Sequence, residues 1–268
     1  MLAALLTTLL AATPASIARG EYLVRNVAVC GGCHSSEEKN PDGALAGGRE
    51  FRDWRVGVAR ASNLTSDDET GLGTWTDEEI AHAIRTGVRK DGRLLAPVMP
   101  YEWFSAMSDS DAIAIARYLR SLPPVHNAVR QNPNLVFKFA KAVILRPARV
   151  HVDQTGYLAQ HVGLCGECHT PRTRVRAEAD RSRLFAGNAN PPGDFPAKPS
   201  NLTPDTETGI GLWSEADFIR TIRTGVDPAG KRLNPFMPWH QNARMTDDDL
   251  RAIYAFLMTV KPIRNDVR

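Results

Sequence analysis

The chain has 268 residues, 43% of them hydrophobic and 24% charged, with 33 basic against 30 acidic side chains for a formal charge of +3. Such a chain can bury a core, and at about 150 residues per domain its length predicts two domains. The small charge, with no long basic run, excludes a dedicated nucleic-acid binder, and no apolar stretch reaches the roughly 18 residues of a membrane-crossing helix.

Leu2 to Ala12 is an uncharged run followed by the small residues Thr13, Ala15, Ser16 and Ala18. This is the pattern of an export signal over residues 1–18, with cleavage expected after Ala18 and Ala15 as the alternative site. No basic segment precedes it, so an uncleaved anchor or a buried first helix stays open. Export predicts a periplasmic protein.

The four cysteines fall in two clusters, Cys30-Gly31-Gly32-Cys33-His34 and Cys165-Gly166-Glu167-Cys168-His169. Two disulfides would have no need of the histidine that follows each pair; covalent attachment of haem does. Two thiols add across the two vinyl groups, and the adjacent imidazole lies under the iron. The pattern predicts two haem c groups.

The clusters mark a duplication. Tyr22-Leu23 and Cys30 repeat as Tyr157-Leu158 and Cys165 at a shift of 135, and Asn63 to Leu119 repeats as Asn201 to Leu257 at 138. The second block carries Asn-Leu-Thr, Glu-Thr-Gly, Trp75 and Trp213, Arg-Thr-Gly-Val, and the Pro-x-Met-Pro loops around Met99 and Met237. The expected units are 20–125 and 155–262, joined by a linker 126–154 and followed by a tail 263–268. Asn63 and Asn201 match a glycosylation pattern, but their repeated place predicts a structural turn.

Thr76-x-x-Glu79, Ser108-x-x-Asp111, Ser214-x-x-Asp217 and Thr246-x-x-Asp249 each set a capping hydroxyl three residues before an acid, so a helix is expected after each. Apolar residues then recur with helical spacing, as in Ile113, Ala116, Tyr118 and Leu119, and no alternating strand pattern persists. The expectation is an all-α chain, with the Gly- and Pro-rich segments 40–48 and 187–199 as loops around the haem edge.

An iron with histidine below needs a sixth ligand or an open site. Met99 and Met237, in matching loops before the last helix of each unit, are the expected thioether ligands; a soft uncharged sulfur stabilises ferrous iron and blocks small molecules. Core filling is the competing role for them. Met107 and Met245, also repeated, are expected to pack as hydrophobic staples. His82, His126, His151, His161 and His240 have no repeat partners and are read as surface or satisfied core residues. Trp75 and Trp213 suit packing on the porphyrin and equally plain core packing. The acids around Asp67 and Asp205 lack a calcium-loop pattern and read as solvated turns.

Together C-x-x-C-H, Asn-Leu-Thr-Pro-Asp-x-Glu-Thr-Gly-Ile-Gly-x-Trp and Pro-x-Met-Pro resemble the cytochrome c subunits of membrane-bound quinoprotein alcohol dehydrogenases. Similar subunits serve flavin-dependent gluconate-type and molybdenum-dependent dehydrogenases. The resemblance spans nearly the whole chain. It implies two tandem class I cytochrome c folds, thioether bonds at Cys30, Cys33, Cys165 and Cys168, and axial pairs His34/Met99 and His169/Met237. The familiar subunits carry three haem domains and a C-terminal membrane-binding segment, against two units here, so a shorter soluble carrier and a subunit of a complex are both compatible.

Between Arg130 and Arg149 the chain is basic and apolar without an acid, with Lys138, Lys141 and Arg146 among Leu135, Phe137, Phe139 and Val143. It is expected to brace the two units, with docking to a dehydrogenase or to an anionic membrane surface as alternatives. The functional expectation is electron transfer, with no bond chemistry of its own. The donor is a periplasmic dehydrogenase, and the acceptor is a quinone, a terminal oxidase or another cytochrome. The competing reading is a dihaem enzyme of peroxidase type, which needs one open iron; a cysteine axial ligand is excluded because all four thiols are used.

Overall fold

The computed structural model describes residues 14–35, 43–53, 57–133, 135, 145–151, 153–173, 178–191 and 197–267. The export-signal residues before 14 and the centre of the basic stretch, 136–144, lie outside them.

Helix α1 (Pro14–Tyr22) runs into a π-helical turn (Leu23–Val27) and the short α2 (Gly31–His34); α3 (Asp77–Thr86), α4 (Tyr101–Phe104) and α5 (Asp109–Ser121) follow. The series recurs as a second π-helical turn (Leu158–Val162), α6 (Cys165–His169), α7 (Glu215–Thr224), α8 (Trp239–Asn242) and α9 (Asp247–Leu257). All four capping hydroxyls accept the backbone N–H three residues on. In α3 and α7 the N3 acid also returns to the cap N–H, closing a reciprocal box. Both of these helices end at a left-handed glycine, Gly87 (φ +77°) and Gly225 (φ +67°), a conformation that costs a side chain-bearing residue about 1–2 kcal/mol.

The apolar faces meet in one core. Leu23, Val24 and Val27 of the first π-helical turn, Ile115 and Leu119 of α5, Val162, and Ile253 and Leu257 of α9 are all buried in a single cluster. Each fully buried aliphatic side chain of this kind stabilises by about 1.5–3 kcal/mol. The halves pack crosswise: α4 lies on the second π-helical turn and α8 on the first. Asn242 Nδ2 donates to the Asn26 carbonyl at 2.8 Å, and His161 Nδ1 lies 3.2 Å from the Trp103 carbonyl.

The all-α expectation needs one correction. Strands β1 (Glu50–Asp53), β2 (Gly57–Arg60) and β3 (Asn132–Pro133) form a small antiparallel sheet in the order β1-β2-β3. Phe51 pairs with Ala59 and Glu50 with Arg60, and the Glu50 carboxylate takes both Arg52 and Arg60. Strands this short cannot sustain a readable alternation; the Glu50–Arg60 pair ties β1 to β2 beside their backbone pairing. The Gly- and Pro-rich segments lack regular structure wherever they are described.

The ends of the basic stretch are tied to the first half. Gln131 exchanges hydrogen bonds with the Arg60 backbone, Ala148 N–H donates to the Thr86 carbonyl at 3.0 Å, and His151 N–H to Ser105 at 3.2 Å. Residues 263–267, a tail in the sequence reading, run against the second half: Ile263 accepts from Asn201, and Asn265 Nδ2 donates to the Ala186 carbonyl at 2.7 Å. Among the described residues no helix is long and apolar enough to cross a membrane.

Candidate haem-binding sites

Each C-x-x-C-H segment is introduced the same way. A π-helical turn leads to a non-glycine residue in the left-handed region, Val29 (φ +46°) or Leu164 (φ +56°), directly before the first cysteine. Such a residue costs about 1–3 kcal/mol and persists only where its surroundings enforce it; here it occurs twice at one motif position. The chain then coils, with His34 N–H donating to the Cys30 carbonyl at 2.8 Å. Residues three and four apart share a helix face, so Cys30, Cys33 and His34 are gathered on one side, and so are Cys165, Cys168 and His169.

All four cysteines are free thiols. Burial, then the neighbouring Cys33, pushes the Cys30 thiol up to about 12; burial pushes Cys165 up to about 11. Burial, and after it Glu167, pushes Cys168 up to about 12. A thiolate metal site or a reactive dithiol requires the opposite shift. Among the described residues no group of three or more His, Cys, Asp or Glu side chains is arranged to hold a metal ion. Protonated, paired thiols suit addition of S–H across a carbon–carbon double bond.

The histidines carry the clearest geometry. His34 Nδ1 lies 2.8 Å from the Ser62 carbonyl and His169 Nδ1 lies 2.7 Å from the Ser200 carbonyl. A carbonyl only accepts, so Nδ1 bears the proton and Nε2 keeps its lone pair. This is the arrangement that orients a metal-ligating imidazole. Burial lowers both pKa values, with the carbonyl bonds opposing, so both rings are held in the neutral, ligating form. The sequence reading missed these two carbonyls. Ser62 and Ser200 stand at the same 138-residue shift, immediately before Asn-Leu-Thr, and that repetition was the available signal.

The two methionine loops are copies. Leu95 N–H bonds the Gly87 carbonyl and Leu233 N–H the Gly225 carbonyl, and the Met99 and Met237 carbonyls each accept from the residue two positions on at 2.8 Å. Met99 and Met237 are half-buried against the same core as Cys30 and Cys165. Met107 and Met245 are 1% and 3% exposed, interior packing residues as expected. Trp75 and Trp213 are half-buried at the core margin, with Arg89 over the Trp75 ring. Asp67 and Asp205 each accept from the backbone and hydroxyl of a threonine three residues on, closing the turn.

The two π-helical turns that lead into the attachment turns touch: an added Cβ at Gly163 would lie 3.7 Å from Val27 Cγ1. Trp103, which the sequence reading did not single out, reaches from the first half against Gly166, where an added Cβ would sit 2.8 Å from its ring. Of the unpaired histidines, His82, His126, His151 and His240 are exposed. His161 departs from the satisfied-core expectation: it is 4% exposed and its Nε2 has no hydrogen-bond partner.

No family model matches the chain. It is 31% identical over 94% of its length to the cytochrome c subunit of quinone-dependent alcohol dehydrogenase from Gluconobacter oxydans, covering 56% of that protein. It is 30% identical over 93% of its length to the gluconate 2-dehydrogenase cytochrome c subunit of Pantoea cypripedii, covering 60%. A diheme cytochrome c-type protein of Cereibacter sphaeroides is 27% identical over 87% of the chain, with 82% of that protein covered. The chain is thus similar to proteins named as cytochromes c. Its similarity extends along nearly the whole chain, which spans little more than half the length of the two dehydrogenase subunits named here.

Proposed function

We propose that the chain is a dihaem c-type cytochrome of two tandem class I units. It accepts electrons from a periplasmic dehydrogenase and passes them towards a quinone, a terminal oxidase or another cytochrome. In this reading export by residues 1–18 delivers it to the periplasm, where it works at the inner membrane surface or on the dehydrogenase. The carrying observation is the repeated imidazole geometry: His34 and His169, each beside two thiols, each pinned at Nδ1 by a serine carbonyl with Nε2 left to coordinate.

In this reading Cys30, Cys33, Cys165 and Cys168 form the thioether bonds, and His34/Met99 and His169/Met237 are the axial pairs. Haem iron supplies a one-electron couple, and a methionine ligand raises its potential and closes the site to small molecules. The chain's own part is orientation and exclusion. The Ser62 and Ser200 carbonyls fix the imidazole planes, the copied loops present the methionines, and the shared core keeps water away.

The test is an optical redox titration of the exported, haem-loaded protein, with the far-red sulfur-to-iron band and carbon monoxide binding recorded on the same sample. Two haems by pyridine haemochrome, both with the sulfur band and neither binding carbon monoxide, is the expected result. One haem without the band that takes up carbon monoxide would move the peroxidase-type reading ahead.

A further inference from the structure

His161 lies in the second π-helical turn, between two acceptors. Its Nδ1 is 3.2 Å from the Trp103 carbonyl, and its Nε2 is 3.5 Å from Asp153 Oδ2 with no hydrogen bond made. A neutral imidazole has one N–H, so in either tautomer one lone pair faces an acceptor; an imidazolium, with two N–H groups, satisfies both. Asp153 and His151, whose ring is T-shaped to it at 6.2 Å, are the titratable groups facing it from the linker. From α4 comes the Trp103 carbonyl, and its neighbours on its own turn are Gln160 and Val162. The other elements packed on this turn carry further titratable groups: Cys165, Glu167, Cys168 and His169 on α6, Arg25 on the first π-helical turn, Glu102 on α4, and Asp247, Asp248, Asp249 and Arg251 on α9. Burial lowers its pKa, while the Trp103 carbonyl and Asp153 push back.

The place of this ring matters. It precedes the second attachment turn by one helical turn, and it holds the backbone of Trp103, whose indole abuts Gly166. The first half has Asn26 at the equivalent position, and asparagine does not titrate.

We propose that His161 is a proton-linked positioning residue for the second haem. Proton uptake at its Nε2, completed by Asp153, adds a buried positive charge beside that site and raises its reduction potential, while the first haem, with Asn26 in this place, responds far less. The inference rests on the proposed haem reading. The sign follows from charge: reduction removes one positive charge from the iron site, so a cation nearby favours the reduced form. By linkage, reduction then strengthens proton binding at His161.

The experiment is a spectroelectrochemical titration of the haem-loaded protein from about pH 5 to 8, the range in which a histidine changes charge. It is run on wild type, His161→Asn and His161→Gln, with NMR titration of the His161 imidazole in both oxidation states. The second-haem midpoint should rise as pH falls below about 6.5, both variants should lose that dependence, and the imidazole should titrate at higher pH in the reduced protein. Asp153→Asn should move the window to lower pH. The same pH dependence in wild type and variants, or an imidazole titration indifferent to oxidation state, overturns the inference alone. A chain without two haems by pyridine haemochrome overturns the functional reading and this inference with it.

Discussion

The Tyr22 hydroxyl donates to the Asp249 carboxylate, joining the start of the first half to the last helix of the second. The contact is reciprocal: the Tyr157 hydroxyl donates to Asp111 Oδ2 at 2.9 Å. Each hydroxyl also accepts the N–H of the opposite helix's cap residue, Tyr22 from Thr246 at 3.0 Å and Tyr157 from Ser108 at 3.1 Å. Duplicated residues therefore pair across the halves. Asp111 has a second partner, since Arg19 holds both of its oxygens at 2.9 and 3.0 Å. Among the described residues Asp249 has no arginine bonded in this way.

Tyr22→Phe should consequently cost more than Tyr157→Phe. The first removes the side-chain donor of Asp249 and the acceptor of Thr246 N–H, for about 1–3 kcal/mol. The second leaves Asp111 paired to Arg19 and should cost about 1 kcal/mol. Urea midpoints of the haem-loaded variants check the order, and equal midpoints would mean that the Arg19 pair carries no weight.

Asn63 and Asn201 are 2% and 1% exposed and use every side-chain hydrogen-bonding group. Asn201 Oδ1 accepts from Thr203 N–H and Oγ1 at 2.9 and 2.7 Å, while Nδ2 donates to Thr208 Oγ1 and the Ile263 carbonyl at 2.9 and 2.7 Å. Asn63 repeats the set with Thr65, Thr70 and the Val125 carbonyl. Asn201→Ala should cost about 3 kcal/mol from the lost bonds. Asn201→Asp should be worse, because a carboxylate cannot donate to Ile263 and would be buried facing two acceptors. Thermal unfolding in the same buffer ranks the two.

The same four-residue pattern shows what could and could not be read beforehand. Ser/Thr-x-x-acid identified the starts of α3, α5, α7 and α9, because the cap is a local bond between residues three apart. In α3 and α7 the acid also closes the box. In α5 and α9 the acid, Asp111 or Asp249, is diverted to a tyrosine of the other half. Nothing within four residues of sequence distinguishes the two fates. The thiols and imidazoles were legible because their chemistry fixes their spacing. The Ser62 and Ser200 carbonyls were not, since a backbone acceptor has no residue type to betray it. The small sheet was hidden for another reason: strands of four residues offer too few alternations to count.

Two left-handed glycines in the second half separate backbone strain from collision. At Gly225 (φ +67°) an added Cβ would lie 2.4 Å from the Trp239 ring, whereas at Gly230 (φ +82°) nothing lies within 4 Å. Both substitutions to alanine incur the left-handed cost of about 1–2 kcal/mol. Gly225→Ala must also displace Trp239, the first residue of α8 behind the Met237 loop. Denaturation midpoints should fall further for Gly225→Ala, and the far-red sulfur band of the second haem should weaken in that variant alone.

Met237 and Met245, eight residues apart, should fail in different observables. Met245 is 3% exposed within the core, so Met245→Ala leaves a cavity and should cost about 2–5 kcal/mol, with the spectrum of the folded protein unchanged. Met237 is half-buried on its loop, so Met237→Ala removes little packing. In the proposed coordination it should lower the second haem's potential, abolish its sulfur band and admit carbon monoxide, leaving the first haem as in wild type. Met99→Ala should do the same to the first haem. Should Met237→Ala lower stability while the redox titration stays as in wild type, the loop sulfur is a packing group and the second iron takes its sixth ligand elsewhere.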